Sequence, residues 1–199
     1  MGKERLTAFS DGVVAIIITI MVLELKVPHG TALADLAPVL PTFLAYALSF
    51  IYVGIYWNNH HHMLTLARSV TGPILWANMH LLFWLSTVPF ATSWMGENPR
   101  ANVPVALYGG ALIMNAVAYT ILMTMLIAHE GPESDLARAM GADLKGKLSL
   151  AIYAAAIALA FFQPLISLGL YVVVAAIWFI PDRRVERVLL AAEQAERPS

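Results

Sequence analysis

Ser10 and Asp11 stand together at the head of an apolar run, FSDGVVAIIITIMVLEL over residues 9–25, which holds one further hydroxyl, Thr19, and closes with Glu24. A carboxylate inside a membrane-length apolar segment is expensive, so it turns toward protein and finds a partner. Two kinds of chemistry use such a group. One is a structural clamp, with Ser10 bonding back to its own helix and Asp11 paired with Arg5, His80, Asn58 or Asn59. The other is proton or substrate handling by Asp11 and His80, as in a small coupled carrier. Thr19 has the same duality: a lone threonine in a span can bond its own backbone or line a path. Glu24 can draw cations toward an external mouth or serve as a solvated anchor.

Other constellations carry less. His60, His61 and His62 are consecutive, so on a helix they project 100° apart, whereas paired ligands on one helix sit at i and i+4. They read as a hydrogen-bonding patch near the end of a span, and nothing in their spacing favours a pH-sensing role. Ser10, Asp11 and His80 do not make a hydrolase, because Asp11 points away from Ser10 and no G-x-S-x-G elbow exists. An enzyme is not expected. The absence of cysteine excludes thiolate catalysis, disulfides and Cys-based metal sites.

These residues must be positioned by helices. With 100° per residue and Ile16 at zero, Phe9 falls at about +20°, Gly12 at −40°, Thr19 at −60°, Ile20 at +40° and Leu23 at −20°. Ser10 and Asp11 fall at about 120° and 220°. One stripe therefore carries Phe9, Gly12, Ile16, Thr19, Ile20 and Leu23, and the acidic pair faces elsewhere.

The setting is a membrane. Of 199 residues 59% are hydrophobic and 13% charged, about half the charged share of a soluble domain. Mean hydropathy is +0.70. Six candidate spans lie at Leu6–Leu25, Leu40–Asn59, Ile74–Met95, Val103–Ile127, Leu148–Phe162 and Leu165–Ile180, the last two forming a tight hairpin at Gln163-Pro164. The first span holds Asp11 and Glu24 and lacks a small-x-small cleavage site, so it does not read as a signal peptide. Lys26 and Arg100 fall on one side of this arrangement and the other ten Lys and Arg residues on the opposite side, which puts both termini in the cytoplasm. Residues 182–199 read as a cytoplasmic amphipathic tail. Pro89 predicts a kink in the third span and Gly109-Gly110 a close helix contact in the fourth. Trp57 and Trp94 read as interfacial, Trp76 and Trp84 as helix packing.

Arg5 followed by Phe9-Ser10-Asp11-Gly12 and the run AIIITIMVLEL resembles the transmembrane protein 175 family of lysosomal-type potassium channels, as does the patch Trp57-Asn58-Asn59-His60-His61. The resemblance implies a homotetramer around a central pore lined by the first helix, since a chain with one repeat needs four copies to supply four such helices. It implies that Ile16 is the gate, Ile20 and Leu23 further apolar rings, and Thr19 the hydroxyl behind a modest preference for K⁺ over Na⁺. It implies that Arg5, Phe9, Ser10 and Asp11 form a polar network bracing the first helix, with Asn59 and His80 as candidate members.

The expectation is an all-α integral membrane protein with one six-helix channel domain over residues 1–199. It would sit in the plasma (inner) membrane, pass K⁺ and other monovalent cations, and need no cofactor, resident metal or nucleic acid. A proton- or ion-coupled secondary transporter using Asp11 and His80 is the alternative, and a non-conducting membrane protein the third.

Overall fold

The computed structural model describes residues 2–141 and 143–179, and the expected tail at 182–199 lies outside them. The regular secondary structure of the described residues is all helical, without strands. In order they form α1 (Lys3–Leu23), a 3₁₀ turn (Leu33–Val39), α2 (Leu40–Leu66), α3 (Gly72–Ser86), α4 (Val88–Glu97), α5 (Asn102–Glu130), α6 (Asp135–Met140), α7 (Leu144–Ala160) and α8 (Pro164–Phe179).

Among the described residues four segments are long and apolar enough to cross a bilayer: α1, the 3₁₀ turn with α2, α3 with α4, and α5. At 1.5 Å per residue α1 spans about 32 Å and α5 about 44 Å, against a hydrocarbon core of about 30 Å. The 17-residue α7 and 16-residue α8 reach only about 25 Å. They form the expected hairpin, which Ser167 ties by donating to the Ala156 carbonyl at 2.7 Å.

The third span is broken where Pro89 predicts. Proline cannot donate to the carbonyl four residues back, and the helix stops at Ser86 and restarts at Val88 with Pro89 in its first turn. The carbonyl freed by Pro89 is that of Leu85, to which the Thr87 amide turns, and the neighbouring Trp84 carbonyl at the end of α3 is satisfied by side chains as well. Thr87 donates to it through Oγ1 at 2.7 Å and through its amide at 3.1 Å, and Asn115 of α5 adds a bond at 3.3 Å. Lipid supplies no donors, so this rescue from adjacent protein is what lets the break persist.

α5 is the hub, packed on α3, α4 and α7. Gly109 allows part of this: a Cβ there would overlap the Tyr171 hydroxyl and come within 2.8 Å of Ile157. Gly110, expected to share the role, faces open space. A cluster of Tyr52, Tyr108, Tyr153 and Tyr171 fills one core, and each polar tip needs a partner. Tyr108 meets Ser49 at 2.9 Å, and Tyr171 donates to the Val105 carbonyl at 3.1 Å. A second core joins α1 to α2, α3 and α5 through Leu6, Val14, Ile17, Met21, Leu81 and Leu122.

Candidate functional site

The two faces of α1 have opposite fates. Leu6, Ser10, Val14, Ile17 and Met21, at i/i+4/i+3 spacing, are buried against α2 and α3. The opposite face is bare. Ile16 is 58% exposed, Ile20 43% and Leu23 79%, and Phe9, Gly12 and Thr19 are exposed beside them. The angular count therefore separates the packed from the open side, and every member of the counted stripe lies on the open one.

Thr19 serves both readings at once. Its Oγ1 lies 3.0 Å from the carbonyls of Ala15 and Ile16, so its hydrogen points into its own helix. The oxygen that remains on the open face is an acceptor, with lone pairs and no proton to offer. The Thr19 oxygen thus lies one turn beyond the apolar Ile16 on the same open face.

Ser10 and Asp11 are hydrogen-bonded, but to partners other than those expected. Ser10 donates to the Leu6 carbonyl at 2.9 Å and accepts from Asn78 Nδ2 at 3.0 Å. Asn78 Oδ1 in turn meets His60 Nε2 at 2.7 Å. All three side chains are buried. Asp11 is held separately, accepting from Trp57 Nε1 at 2.9 Å.

Four expected members are placed elsewhere. His80 accepts from Trp84 Nε1 at 3.0 Å; two residues beyond Asn78, it projects about 200° around α3 and away from α1. Asn59 bonds back to the Ile55 carbonyl at 2.8 Å and lines a small cavity with Tyr119, Asp143 and Trp178, since it too lies about 200° from the residue that meets Asp11. Arg5 and Phe9 are exposed on the open side of α1, one turn apart, and take no part in the Ser10 network. The histidines diverge as their spacing requires: His60 enters the brace while His61 stacks on Trp57 with ring centroids 6.1 Å apart.

Asn78 is the residue that sequence reasoning missed, while His60 and Trp57 were read only as parts of the patch ending the second span, without their partners. Asn78 was detectable as the one amide in the apolar third span, and a buried amide needs partners. Trp57 is not merely interfacial, because its N–H is used. Trp76, expected to pack between helices, is 77% exposed.

Along part of the open stripe, α1 and α4 form a groove of about 880 Å³ lined by Ile16, Ile20, Pro89, Phe90 and Trp94, with Glu24 and Glu97 at one end. There Ser93 donates to Glu24 at 3.2 Å and Lys26 pairs with Glu97 at 2.6 Å, which holds the Lys26 ammonium above the usual lysine range.

Comparison with known proteins places this arrangement. The family model for the endosomal/lysosomal potassium channel TMEM175 matches residues 5–89, which run from Arg5 through the brace to Pro89. A potassium channel of Chryseobacterium sp. (strain P1-3) is 58% identical over 189 residues, covering 95% of this chain and 98% of that one. The bovine endosomal/lysosomal proton channel TMEM175 is 32% identical over 66% of this chain and 31% of its own. The crystal structure of a lysosomal potassium-selective channel TMEM175 homologue from Chamaesiphon minutus superposes with a TM-score of 0.79 at 29% identity, covering 89% of this chain and 96% of that one.

Proposed function

The chain belongs to the endosomal/lysosomal potassium channel TMEM175 family, and on that premise we propose that it is a potassium-permeable cation channel gated by the open face of α1. It is a multi-pass membrane protein of a channel family, which is not a class of enzyme. The observation that carries the reading is the asymmetry of α1: one face built into the core, the other a bare apolar stripe interrupted by a single outward-facing oxygen at Thr19.

In this reading four chains set their α1 stripes around an axis in the plasma membrane, with α7 and α8 completing six spans and both termini cytoplasmic. The Ile16 side chains exclude water when close together, a dewetting gate, and Ile20 and Leu23 continue the apolar wall. Entry of a cation needs the ring to widen. The Thr19 oxygens then replace part of its hydration, which gives a modest preference for K⁺ over Na⁺. The brace matters because a gate that works by diameter must be held to within fractions of an ångström. Ser10, Asn78, His60 and the Asp11–Trp57 bond anchor α1 from behind without entering the path.

The coupled-carrier alternative would need Asp11 and His80 to act together, but Asp11 is engaged by Trp57 and His80 by Trp84. Channel and carrier are separated by reconstitution. Ile16→Asn, which wets the ring, should raise potassium flux several-fold over wild type, together with single-channel events insensitive to a proton gradient. Unchanged flux from Ile16→Asn, or a monomeric mass in detergent, would remove Ile16 from the gate.

A further inference from the structure

The groove between α1 and α4 is chemically graded along its length. Ile16 and Ile20 form one wall, and Phe90 and Trp94 line the other, with ring centroids 6.1 Å apart and planes tilted by 33°. The carboxylates of Glu24 and Glu97 stand together at one end only, opposed by a single ammonium, Lys26, so that end holds an excess negative charge. From Val13 to Glu24 the groove follows α1 for about 16 Å. An apolar trench by itself would accept any acyl chain. Net negative charge at one end beside aromatic rings selects an apolar body with one cationic head, and a quaternary ammonium is drawn both to carboxylates and to ring faces.

We propose that this groove is a binding site for amphipathic organic monocations of the long-chain alkyltrimethylammonium class, with the head beside Glu24 and the chain along Ile16 and Ile20. Its consequence for flux rests on the reading of Ile16 as part of a pore wall; binding itself does not. A chain lying on Ile16 and Ile20 occupies the face that must widen, so the bound cation blocks.

The test uses the full chain in liposomes with dodecyltrimethylammonium, butyltrimethylammonium and the uncharged dodecanol. Dodecyltrimethylammonium should block potassium flux, and the block should strengthen about three- to four-fold per methylene while the chain stays inside the groove. Glu24→Gln with Glu97→Gln should weaken it on the order of ten-fold. Both carboxylates are exposed, so the double variant should elute as wild type does. Equal block by dodecanol, or equal block of the double variant, would overturn the proposal in favour of bilayer perturbation or simple chain filling. Binding is read separately by quenching of tryptophan emission with a bromododecyltrimethylammonium probe, comparing wild type with Trp94→Phe. Trp94-dependent quenching in a protein that passes no potassium sustains the site and refutes the pore reading. Quenching identical in Trp94→Phe overturns the site whatever the flux.

Discussion

Asn78 Nδ2 donates to Ser10 Oγ at 3.0 Å across the seam between α3 and α1, and this bond ties the first helix to the interior of the bundle. Ser10 keeps a second bond, to the Leu6 carbonyl, whereas His60 has its bond through Asn78. The two ends of the contact are therefore unequal. Asn78→Ala leaves His60 without this bond and Ser10 with only its Leu6 bond, and should lower stability by about 1–2 kcal/mol. Ser10→Ala should cost less, because its loss leaves Asn78 still bonded to His60. Melting in one detergent checks the order, and a double-mutant cycle should give strong coupling between the two sites. Equal losses from the single variants would refute the asymmetry.

The open and packed faces of α1 were legible because a 100° periodicity needs only one helix and no neighbours. The break in the third span was legible because Pro89 lacks a donor wherever it sits. The brace was legible at its first member and not at its partners. Choosing between His80 and Asn78 requires the rotation of α3 about its own axis, which the sequence of the third span does not fix. Asn59 and Trp57 pose the same problem on α2. Gly109 and Gly110 are adjacent and chemically identical, and only the position of Tyr171 on α8 distinguishes them. Span count was legible from hydropathy for the first four segments, while α7 and α8, at about 25 Å, fall short of the hydrocarbon core.

Thr19 offers an oxygen and no hydrogen to the open face, which gives a selectivity prediction with a matched control. Thr19→Val keeps the shape and removes the acceptor. The K⁺ over Na⁺ permeability ratio should fall by about two- to five-fold, the equivalent of 0.5–1 kcal/mol of lost polar contact. Thr19→Ser should retain it. Bi-ionic reversal potentials measure both, and a ratio unchanged in Thr19→Val would move selectivity away from this residue.

Tyr171 fills the space that a side chain on Gly109 would need, and its hydroxyl is already committed to the Val105 carbonyl. Gly109→Ala must push α8 outward or break that bond, at about 1–3 kcal/mol of overpacking. Gly110→Ala meets nothing and should melt within experimental error of wild type. Thermal melts of the two variants side by side decide it. Equivalent behaviour would mean that α5 and α8 are not in close contact at Gly109.

Asp143 precedes α7 in the left-handed region, at φ 42°, and caps the helix by accepting from the Gly146 amide at 3.1 Å. Burial beside Tyr119 and Tyr153 pushes its carboxyl above the usual range, while the Gly146 bond and Lys147 pull the other way. A carboxyl whose folded pKa is raised binds its proton more tightly in the folded state. Stability is then greatest when the pH is below the unfolded value and declines as pH rises through the folded value, after which the penalty is constant. Asp143→Asn keeps the cap, tolerates the left-handed backbone and removes the charge. The variant should therefore melt at or above wild type near neutral pH, with the gap closing as pH falls toward the ordinary aspartate range. Asp143→Val, with no capping oxygen and a branched side chain at positive φ, should lose about 1–2 kcal/mol at every pH. Melting curves across pH 4 to 8 separate the two effects: a gap between Asp143→Asn and wild type that widened on acidification would show that the carboxylate is stabilised by its surroundings rather than burdened by them.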